Sequence, residues 1–495
     1  MKMFETLLAV VASATSVQTD DDLAARAISA CGFAEFDVTP IDAGSASDFE
    51  DFATQVEAAL GEKIMIVGGD LSGADMRRLS GSLPGSCFYQ TKLSGTDWSG
   101  TDLIGTKFVG TDLSGARFEG TNLTDARLVG VDAGGANFAD AKLGNARWVG
   151  QNFGSKLAGA SFVGAYLNYF TFDCGITMDM QCGGSSGVDF SGANLSNADL
   201  ASYPIWGLDT FTGADFNRAF ISPRAVKYLD DVEVRRSITL GHRSDEAGDR
   251  RAQVRLTTAE FTELKASIET QTDEPSFDCA KASIKAEVLI CAEYQSGLRH
   301  MDRDLSSLYR HAVKRGATSQ REQRAWLRQR NRCDSAECVA QAYQARMDAL
   351  FGAVGVELVL TPNAALEFEE DLLPVADTMR SSALYQKMVP VIRSFSMQSV
   401  TLTAMEDGRI LARGEAVGGN AHTCSLHGDA LVYDPDTGWY AGELDDGALV
   451  PILRVWDNRL FFRYSGNMGD TPDEAADFIT CGARAGFGEM RAVGK

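Results

Sequence analysis

An apolar residue falls on every fifth position of this chain for fourteen consecutive steps: Phe88, Leu93, Trp98, Leu103, Phe108, Leu113, Phe118, Leu123, Leu128, Ala133, Phe138, Leu143, Trp148 and Phe153. Two places earlier sits a slender residue, as at Thr91, Thr96, Thr106, Ala126 and Ala146. Two places later glycine recurs, as at Gly95, Gly100, Gly110 and Gly120. A period of five is neither helical nor strand-like, so it marks a repeat architecture. Each step turns the chain through one corner. Four corners close a square coil of about twenty residues, and coils stack at the strand spacing of about 4.8 Å. Four interior ladders follow: Phe88–Phe108–Leu128–Trp148, Leu93–Leu113–Ala133–Phe153, Trp98–Phe118–Phe138 and Leu103–Leu123–Leu143.

The run resembles the pentapeptide-repeat family, whose pattern is Ala-(Asp/Asn)-Leu-x-x. Ser-Gly-Thr-Asp-Leu at 99–103 and Ser-Gly-Ala-Asn-Leu at 191–195 carry the resemblance. It implies a right-handed quadrilateral β-helix (a pentapeptide solenoid) over 64–221, and little about function, because such a scaffold hosts many roles. The repeats begin near Leu71 and Met76, are irregular around Leu83-Pro84-Gly85, and slip after Phe153, since Phe162 lies nine residues on. They resume at Leu167, Phe190, Leu195 and Leu200, and end at Phe211 and Phe216. The interval 168–188 does not fit and reads as a loop insertion closed by Cys174 and Cys182. It is either a binding loop on a rigid mount or a tolerated insertion.

The rest of the chain makes this a multidomain α+β protein. Residues 1–19 read as a signal peptide, with Lys2, the apolar run Leu7–Ala12 and the cleavage-like Ala12-Ser13-Ala14. Glu5 is awkward there, and the alternative is an N-terminal arm. Residues 20–63 read as a helical N-terminal cap over the open first coil. Asp20-Asp21-Asp22 opens one helix. A Ser47-x-x-Glu50 capping box opens another, with Phe49, Phe52, Val56 and Leu60 as its stripe and Gly61 as its end. Residues 222–275 read as a linker and helix. The basic side chains there (Lys227, Arg235, Arg236, His242, Arg243, Arg250, Arg251, Arg255) interleave with acidic ones, and Thr257-x-x-Glu260 caps a helix to Glu269. Residues 276–352 are helical, with Leu298, Met301, Leu305, Leu308 and Ala312 on one face. Residues 353–495 are β-rich. Val356–Leu360, Ser399–Thr403, Ile410–Arg413, Ala430–Tyr433, Val450–Val455 and Leu460–Tyr464 read as strands, with turns at Asp407-Gly408, Asp436-Thr437-Gly438 and Asp457-Asn458. Helix is expected within 365–395.

A second resemblance rests on Ser276-Phe277-Asp278-Cys279-Ala280-Lys281-Ala282, Glu287-x-x-Ile290-Cys291, Leu298-x-x-Met301-Asp302 and Tyr309. It continues through Gln323-x-x-Trp326-Leu327-x-x-Arg330-Asn331-x-Cys333 and Cys338-x-x-x-x-Tyr343-x-x-Arg346. This segment, about 276–351, is similar to the helical domain of the LprI-type lysozyme-inhibitor family. Lys285 departs from the proline many members carry, leaving Ser283 as the expected cap. Gly418–Cys424 and Cys481–Arg484 loosely resemble the β-domain that follows in larger members. The resemblance implies a protein partner, a cationic muramidase, but places no inhibiting residue on this chain. Trp326 and Arg330 read as helix packing.

Ten cysteines fall in local pairs without a C-x-x-C, which points to an oxidising compartment rather than a zinc ribbon. The expected disulfides are Cys31–Cys87, Cys174–Cys182, Cys279–Cys291, Cys333–Cys338 and Cys424–Cys481. Twelve helical residues span about 18 Å, too far for a disulfide. Cys279 therefore reaches Cys291 only if Asp278–Ala282 folds back along the helix; otherwise this helix is linked to Cys333 or Cys338. His422-Thr-Cys424-x-x-His427 offers three metal ligands, but a Cys424–Cys481 bond competes for the thiolate. No nucleophile elbow, P-loop, dinucleotide-binding glycine pattern or HExxH is present, so neither catalysis, cofactor nor metal is expected.

The net charge is −22, and residues 353–495 carry 21 acidic against 11 basic side chains. Such a chain is not expected to seek nucleic acid or anionic membrane; a cationic partner or simple solubility fits it better. No stretch approaches eighteen apolar residues, so no transmembrane helix is expected. The resulting expectation is a non-enzymatic, periplasmic or secreted interaction protein of the cell envelope, with the β-helix as a rigid scaffold. A muramidase inhibitor is the alternative. A cytosolic DNA mimic protecting a topoisomerase is a third reading, but it needs a strongly negative rod and residues 64–221 carry 15 acidic against 10 basic side chains.

Overall fold

The computed structural model describes residues 20–32, 39–44, 49–59, 63–79, 83–150, 157–173, 187–203, 205, 209–243, 252–268, 275–292, 296–355, 361–417, 423–464, 473–482, 486–488 and 490–493. For 20–25 and 377 the backbone alone is described. The chain divides into two compact units. One holds the residues up to Ser267 together with Ala383–Phe395; the other holds Ile268–Ser382 and Ser396 onward.

The first unit is a β-solenoid. Eleven strands form one sheet in chain order, from Thr39–Asp42 to Val254–Thr257. The twenty-residue coil is seen directly in the register: Phe88 pairs with Phe108, Phe108 with Leu128 and Leu128 with Trp148. The other sides of the coil pair through isolated bridges such as Lys92 with Asp112, Asp97 with Arg117 and Asp102 with Asn122. Inside, Trp98, Phe118, Phe138, Phe162, Phe190 and Phe211 make a continuous column of near-parallel rings with centroids 4.8–6.1 Å apart. Each stacked pair adds about 0.5–1.5 kcal/mol beyond the area it buries. The slender residues also face inward. Thr96 and Thr101 donate to the carbonyls of Leu93 and Trp98, at 2.6 and 2.7 Å, so their hydroxyls are satisfied locally.

The column survives three breaks in the five-residue count, at the steps to Phe162, Phe190 and Phe211. Phe162 stacks on Phe138, 24 residues away, the four extra residues lying between Val149 and Leu157. The expected loop at 168–188 is shorter than the sequence suggests. Thr171–Asp173 is a strand whose Phe172 pairs with Trp148 and is buried. The unmatched stretch narrows to 174–186, outside the described residues along with Phe153, Cys174 and Cys182.

The ends also depart from expectation. Residues 20–63 are not all helical: Thr39–Asp42 is a strand, parallel to Ile64–Val67, and forms the outermost rung. Pro40 masks it in the sequence, yet proline suits an edge strand because it offers no N–H to a further chain. The helix Asp20–Cys31 does not cover the open coil. Its Ala27 and Cys31 pack on the outward side chains Met65, Val67, Tyr89 and Val109, along the flank. The helix Phe49–Ala58 buries Phe52, Ala53 and Val56 and packs on the turn Met76–Leu79. Ser47, Leu60 and Gly61 lie outside the described residues.

Nor is 222–275 simply a linker. Ser237–Leu240 continues the sheet in parallel with Phe220–Ile221, and Val254–Thr257 closes it antiparallel. The helix Thr258–Ser267 follows, opened by the Thr257–Glu260 pair. The helix Ala383–Phe395 packs beside Val254–Thr257 and the turn Pro223–Tyr228, burying Met388 and Val391. Its Lys387 pairs with Glu260, and Phe395 stacks on His242 at 5.1 Å. The far end of the solenoid is thus covered by a helix that arrives more than a hundred residues later.

The second unit joins helices to a barrel-like sheet. Helices Lys285–Cys291, Ser296–Lys314, Gln320–Arg330 and Ala336–Val354 share a core around Leu305, Leu308, Val339 and Tyr343. Nine antiparallel strands follow in the spatial order Ile410–Val417, Gln398–Ala404, Ala365–Glu370, Met490–Ala492, Arg459–Phe462, Leu449–Trp456, Trp439–Glu443, Thr423–Asp434 and Ile479–Cys481. Pairing of Ile410–Val417 with Thr423–Asp434 closes the sheet on itself. Phe368, Leu402, Leu426, Ile452, Leu460 and Met490 fill the interior. Pro451 sits where the register shifts between Tyr440 and Ala441, the kind of irregularity that tolerates proline in a sheet. The expected strand Val356–Leu360 lies outside the described residues. The region 365–395 holds a strand as well as helix.

Candidate interaction surfaces

The cysteine pairs come first, because they set which side chains are available. The structure links Cys31 to Cys87, Cys279 to Cys291, Cys333 to Cys338 and Cys424 to Cys481. Cys279–Lys281 forms a separate turn, capped by Asp278 accepting from the Ala280 N–H, and this brings the Cys279 and Cys291 Cα atoms to 5.7 Å. The helix then starts at Lys285 with Ile284 as its N-cap and no side-chain cap bond, so Ser283 does not serve as the cap. The disulfide instead ties the far end of this helix, at Cys291, back to the Cys279 turn. Cys424 and Cys481 face each other across paired strands. With Cys424 bonded there is no thiolate, and His422 lies outside the described residues. No group of three metal-ligating side chains occurs among the described residues.

In the helical region the residues of the second resemblance converge on one buried network. The Tyr343 hydroxyl donates to Asp302 Oδ1 at 2.6 Å, and the Ser276 N–H donates to Asp302 Oδ2 at 2.6 Å. Arg330 donates to the Tyr343 hydroxyl at 3.0 Å and to Glu287 at 3.3 Å. Trp326 lies edge-on to Tyr343 and donates to the Ala342 carbonyl. Burial, followed by the Asp302 carboxylate, pushes the Tyr343 phenol well above its ordinary value. Trp326 and Arg330 therefore pack and tie the helices. Asp302, Arg330 and Tyr343 are enclosed, while Glu287 and Ser276 lie at the edge of the network.

A second set of buried ions was not legible in the sequence. The Arg454 guanidinium lies 3.7 Å from the Phe351 ring centroid and donates to the carbonyls of Gly438, Phe351 and Gly355. Gly438 has φ +73°, and a Cβ there would strike Arg454 and the Phe351 backbone. Asp348 accepts from Trp439 Nε1 at 2.9 Å and Arg463 at 3.2 Å, while Arg459 donates to Asp304 at 2.9 Å. These contacts fuse helices and barrel into one body. Apart from Arg454 and Gly438, 16 residues apart, their partners lie 91–155 residues apart in sequence, beyond the reach of any motif.

The solenoid offers its outward columns. On one side Lys107, Arg127 and Arg147 are in register beside Val109, Val129 and Val149. Lys107 donates to the Cys31 carbonyl at the end of the flanking helix. Burial, and then the neighbouring Arg127 and Lys63, lower its pKa. Arg243 donates to the carbonyls of Tyr169, Phe170 and Asn197 and so stitches neighbouring coils. Burial lowers its pKa too, against the pull of Asp199. Tyr166 and Tyr169, each 51% exposed, stand on one side of a single coil. Elsewhere the outer surface alternates in sign, as in the pairs Lys92–Asp70, Arg77–Asp75 and Arg117–Glu119. No described helix is long and apolar enough to cross a membrane.

The comparisons with known proteins concern the solenoid. A family model described as pentapeptide repeats matches residues 87–120 and 116–147, in 8 copies. Among solved structures, HetL is a pentapeptide repeat protein involved in heterocyst differentiation regulation from the cyanobacterium Nostoc sp. strain PCC 7120. It is 16% identical, over 38% of this chain and 90% of its own, with a TM-score of 0.20. Full-length QnrB1, a plasmid-mediated fluoroquinolone resistance protein, is 18% identical over 33% of this chain and 91% of its own, with a TM-score of 0.15. A pentapeptide repeat protein of the Arabidopsis thaliana thylakoid lumen is 22% identical over 28% and 68%, with a TM-score of 0.16. No curated protein matches the chain.

Proposed function

We propose that this chain is a non-enzymatic interaction protein of the cell envelope, exported to a periplasmic or extracellular compartment, in which the solenoid is a rigid mount for the second unit. The observation that carries the reading is the solenoid's construction. A continuous ring column, a sheet flanked at both ends and a Cys31–Cys87 staple make a stiff body without a reactive grouping among its described residues. The four disulfides among the described residues support an oxidising compartment. The test is fractionation with N-terminal sequencing, followed by pull-down from the envelope fraction. A mature chain beginning near Ala14 and a recovered protein partner are expected. Cytosolic retention with the native N-terminus intact would overturn the reading.

A second reading, inhibition or sequestration of a cationic muramidase, is favoured by one observation. Residues similar to the LprI-type domain (Asp302, Tyr343, Arg330, Glu287) join in a single hydrogen-bonded network that ties its helices together. The acidic balance of 353–495 suits a cationic partner. A lysozyme turbidity assay tests it; neither inhibition nor low-salt binding would end it. The DNA-mimic reading gains nothing from the solenoid surface, where basic columns and ion pairs interrupt the acidic side chains.

A further inference from the structure

Against a net charge of −22, residues 310–332 hold eight Lys and Arg and one carboxylate. The helix Gln320–Arg330 sits at the centre of this reversal. Arg321, Arg324 and Arg328 recur at i, i+3 and i+7, which places them on one helical stripe about 10 Å long. All three are exposed, as is Arg332 just past the helix end. No salt bridge engages any of these four among the described residues; Arg324 donates to Gln320, one turn back. The lone carboxylate, Glu322, is already committed. It accepts from the Ser319 N–H and the Thr318 hydroxyl at 2.8 Å each, and these bonds hold its pKa below the usual range. It therefore neutralises none of the arginines by contact.

The stripe is also held still. The Ser319–Glu322 capping box fixes one end of the helix, and the Cys333–Cys338 disulfide follows the other. On the inward side Trp326 and Arg330 are locked into the helical core. The exposed residues beside and between the arginines are Gln320, Glu322, Ala325 and Gln329, with no aromatic or large aliphatic side chain. A protein partner would need a buried apolar anchor at the centre of its contact, and this stripe has none. A flat anionic surface needs charge alone. At physiological salt, charges beyond about 8 Å are screened, so the local stripe decides the contact rather than the distant acidic majority.

We infer that Arg321, Arg324, Arg328 and Arg332 form a docking stripe for the anionic headgroups of a phospholipid surface. The contact is peripheral and electrostatic, with nothing inserted into the bilayer. It goes beyond the scaffold reading and does not depend on export or on a muramidase.

The test is sedimentation of the full-length protein with phosphatidylcholine vesicles and with mixed phosphatidylcholine–phosphatidylglycerol vesicles, across a salt series. Binding to the anionic vesicles alone, weakening steeply with salt, is expected. Arg321→Gln/Arg324→Gln/Arg328→Gln should reduce it by on the order of a hundredfold, while the matching Arg→Lys triple variant retains most of it. Circular dichroism of both variants separates lost charge from lost fold. Equal binding to both vesicle types, or undiminished binding by the folded Gln variant, overturns the inference. So does a stripe that binds an acidic protein but no vesicle.

Discussion

The two units bury polar groups in opposite ways. In the solenoid the buried polar side chains are mostly hydroxyls, from Ser86 and Thr91 to Thr121. Where they bond, most reach a carbonyl on the same coil or the next. In the second unit they are ions: Asp302, Asp304, Arg330, Arg380 and Arg454. A repeat can satisfy its polar groups locally because the same carbonyl recurs at every corner. A barrel packed on helices has no such regularity, so a few long charged side chains span the joins. Damage should therefore be graded in the first unit and concentrated in the second.

The strongest challenge to that contrast is Arg454→Met, which keeps bulk against Phe351 but takes the guanidinium from the carbonyls of Gly438 and Gly355, the Phe351 carbonyl keeping the Gly355 N–H. Each buried acceptor left unpaired costs about 1–3 kcal/mol, so the two together cost about 2–6 kcal/mol. The solenoid counterpart, Thr96→Val, loses one hydroxyl that bonds Leu93 and the Trp98 indole, at about 1–2 kcal/mol. Urea midpoints at unchanged slope measure both. Equal losses would remove the distinction between the units.

Disulfides sharpen it on the unfolded side. Cys31 and Cys87 are 56 residues apart, whereas Cys333 and Cys338 are 5 apart. Loop-closure entropy predicts about 4 kcal/mol for replacing the first pair with alanine and about 2 kcal/mol for the second. Thermal unfolding of the two double variants tests the order. If the short loop costs more, native packing rather than chain entropy sets its contribution.

Alkaline pH isolates the buried network of the second unit. Burial raises the Tyr343 phenol above its ordinary value of about 10, and burial pushes Tyr440 up to about 12. The folded state then holds protons that the unfolded state releases. These contributions are intact below pH ~10 and are lost as pH rises from ~10 through the folded values. Tyr343→Phe should cost about 2 kcal/mol at neutral pH, by removing the hydroxyl that links Arg330 to Asp302. It should also flatten the decline between pH 10 and 12 to the part owed to Tyr440. An unchanged slope would mean Tyr343 does not remain protonated in the fold.

What the sequence made legible follows the same division. The four ladders are local in coil space, so a period of five exposes Phe88, Trp98, Leu103 and their partners without a structure. Thr39–Asp42 escaped because four residues with a proline carry no period. Ser237–Leu240 escaped because its pairing with Phe220–Ile221 breaks the twenty-residue count. The helix Ala383–Phe395 was readable as a helix but not as the solenoid's cover, since amphipathicity says that a face is buried and not against what. Arg454, Asp348 and Asp304 escaped, because a partner a hundred residues away leaves no local trace. The arginine stripe was present in the spacing of Arg321, Arg324 and Arg328, but the average charge of the chain concealed it.

The smallest effect tests whether the solenoid's local rule is transferable. The Trp98 indole N–H donates to Thr96 Oγ1, two residues earlier, at 2.7 Å. Trp148 holds the same position of its own five-residue step, on another side of the coil, but the residue two earlier is Ala146, and its buried indole N–H has no partner among the described residues. The column through position 146 accepts a threonine elsewhere, at Thr106 two coils away. Ala146→Thr should therefore supply the missing acceptor without a new cavity or clash, and its own hydroxyl can donate to the Leu143 carbonyl as Thr96 does to Leu93. A gain of about 1 kcal/mol in unfolding free energy is expected. Trp148→Phe, which removes the orphan donor together with some packing, should gain nothing. A net loss for Ala146→Thr would mean that the ring column at Trp148 is already filled to its limit, and that the rule belongs to each coil separately rather than to the repeat.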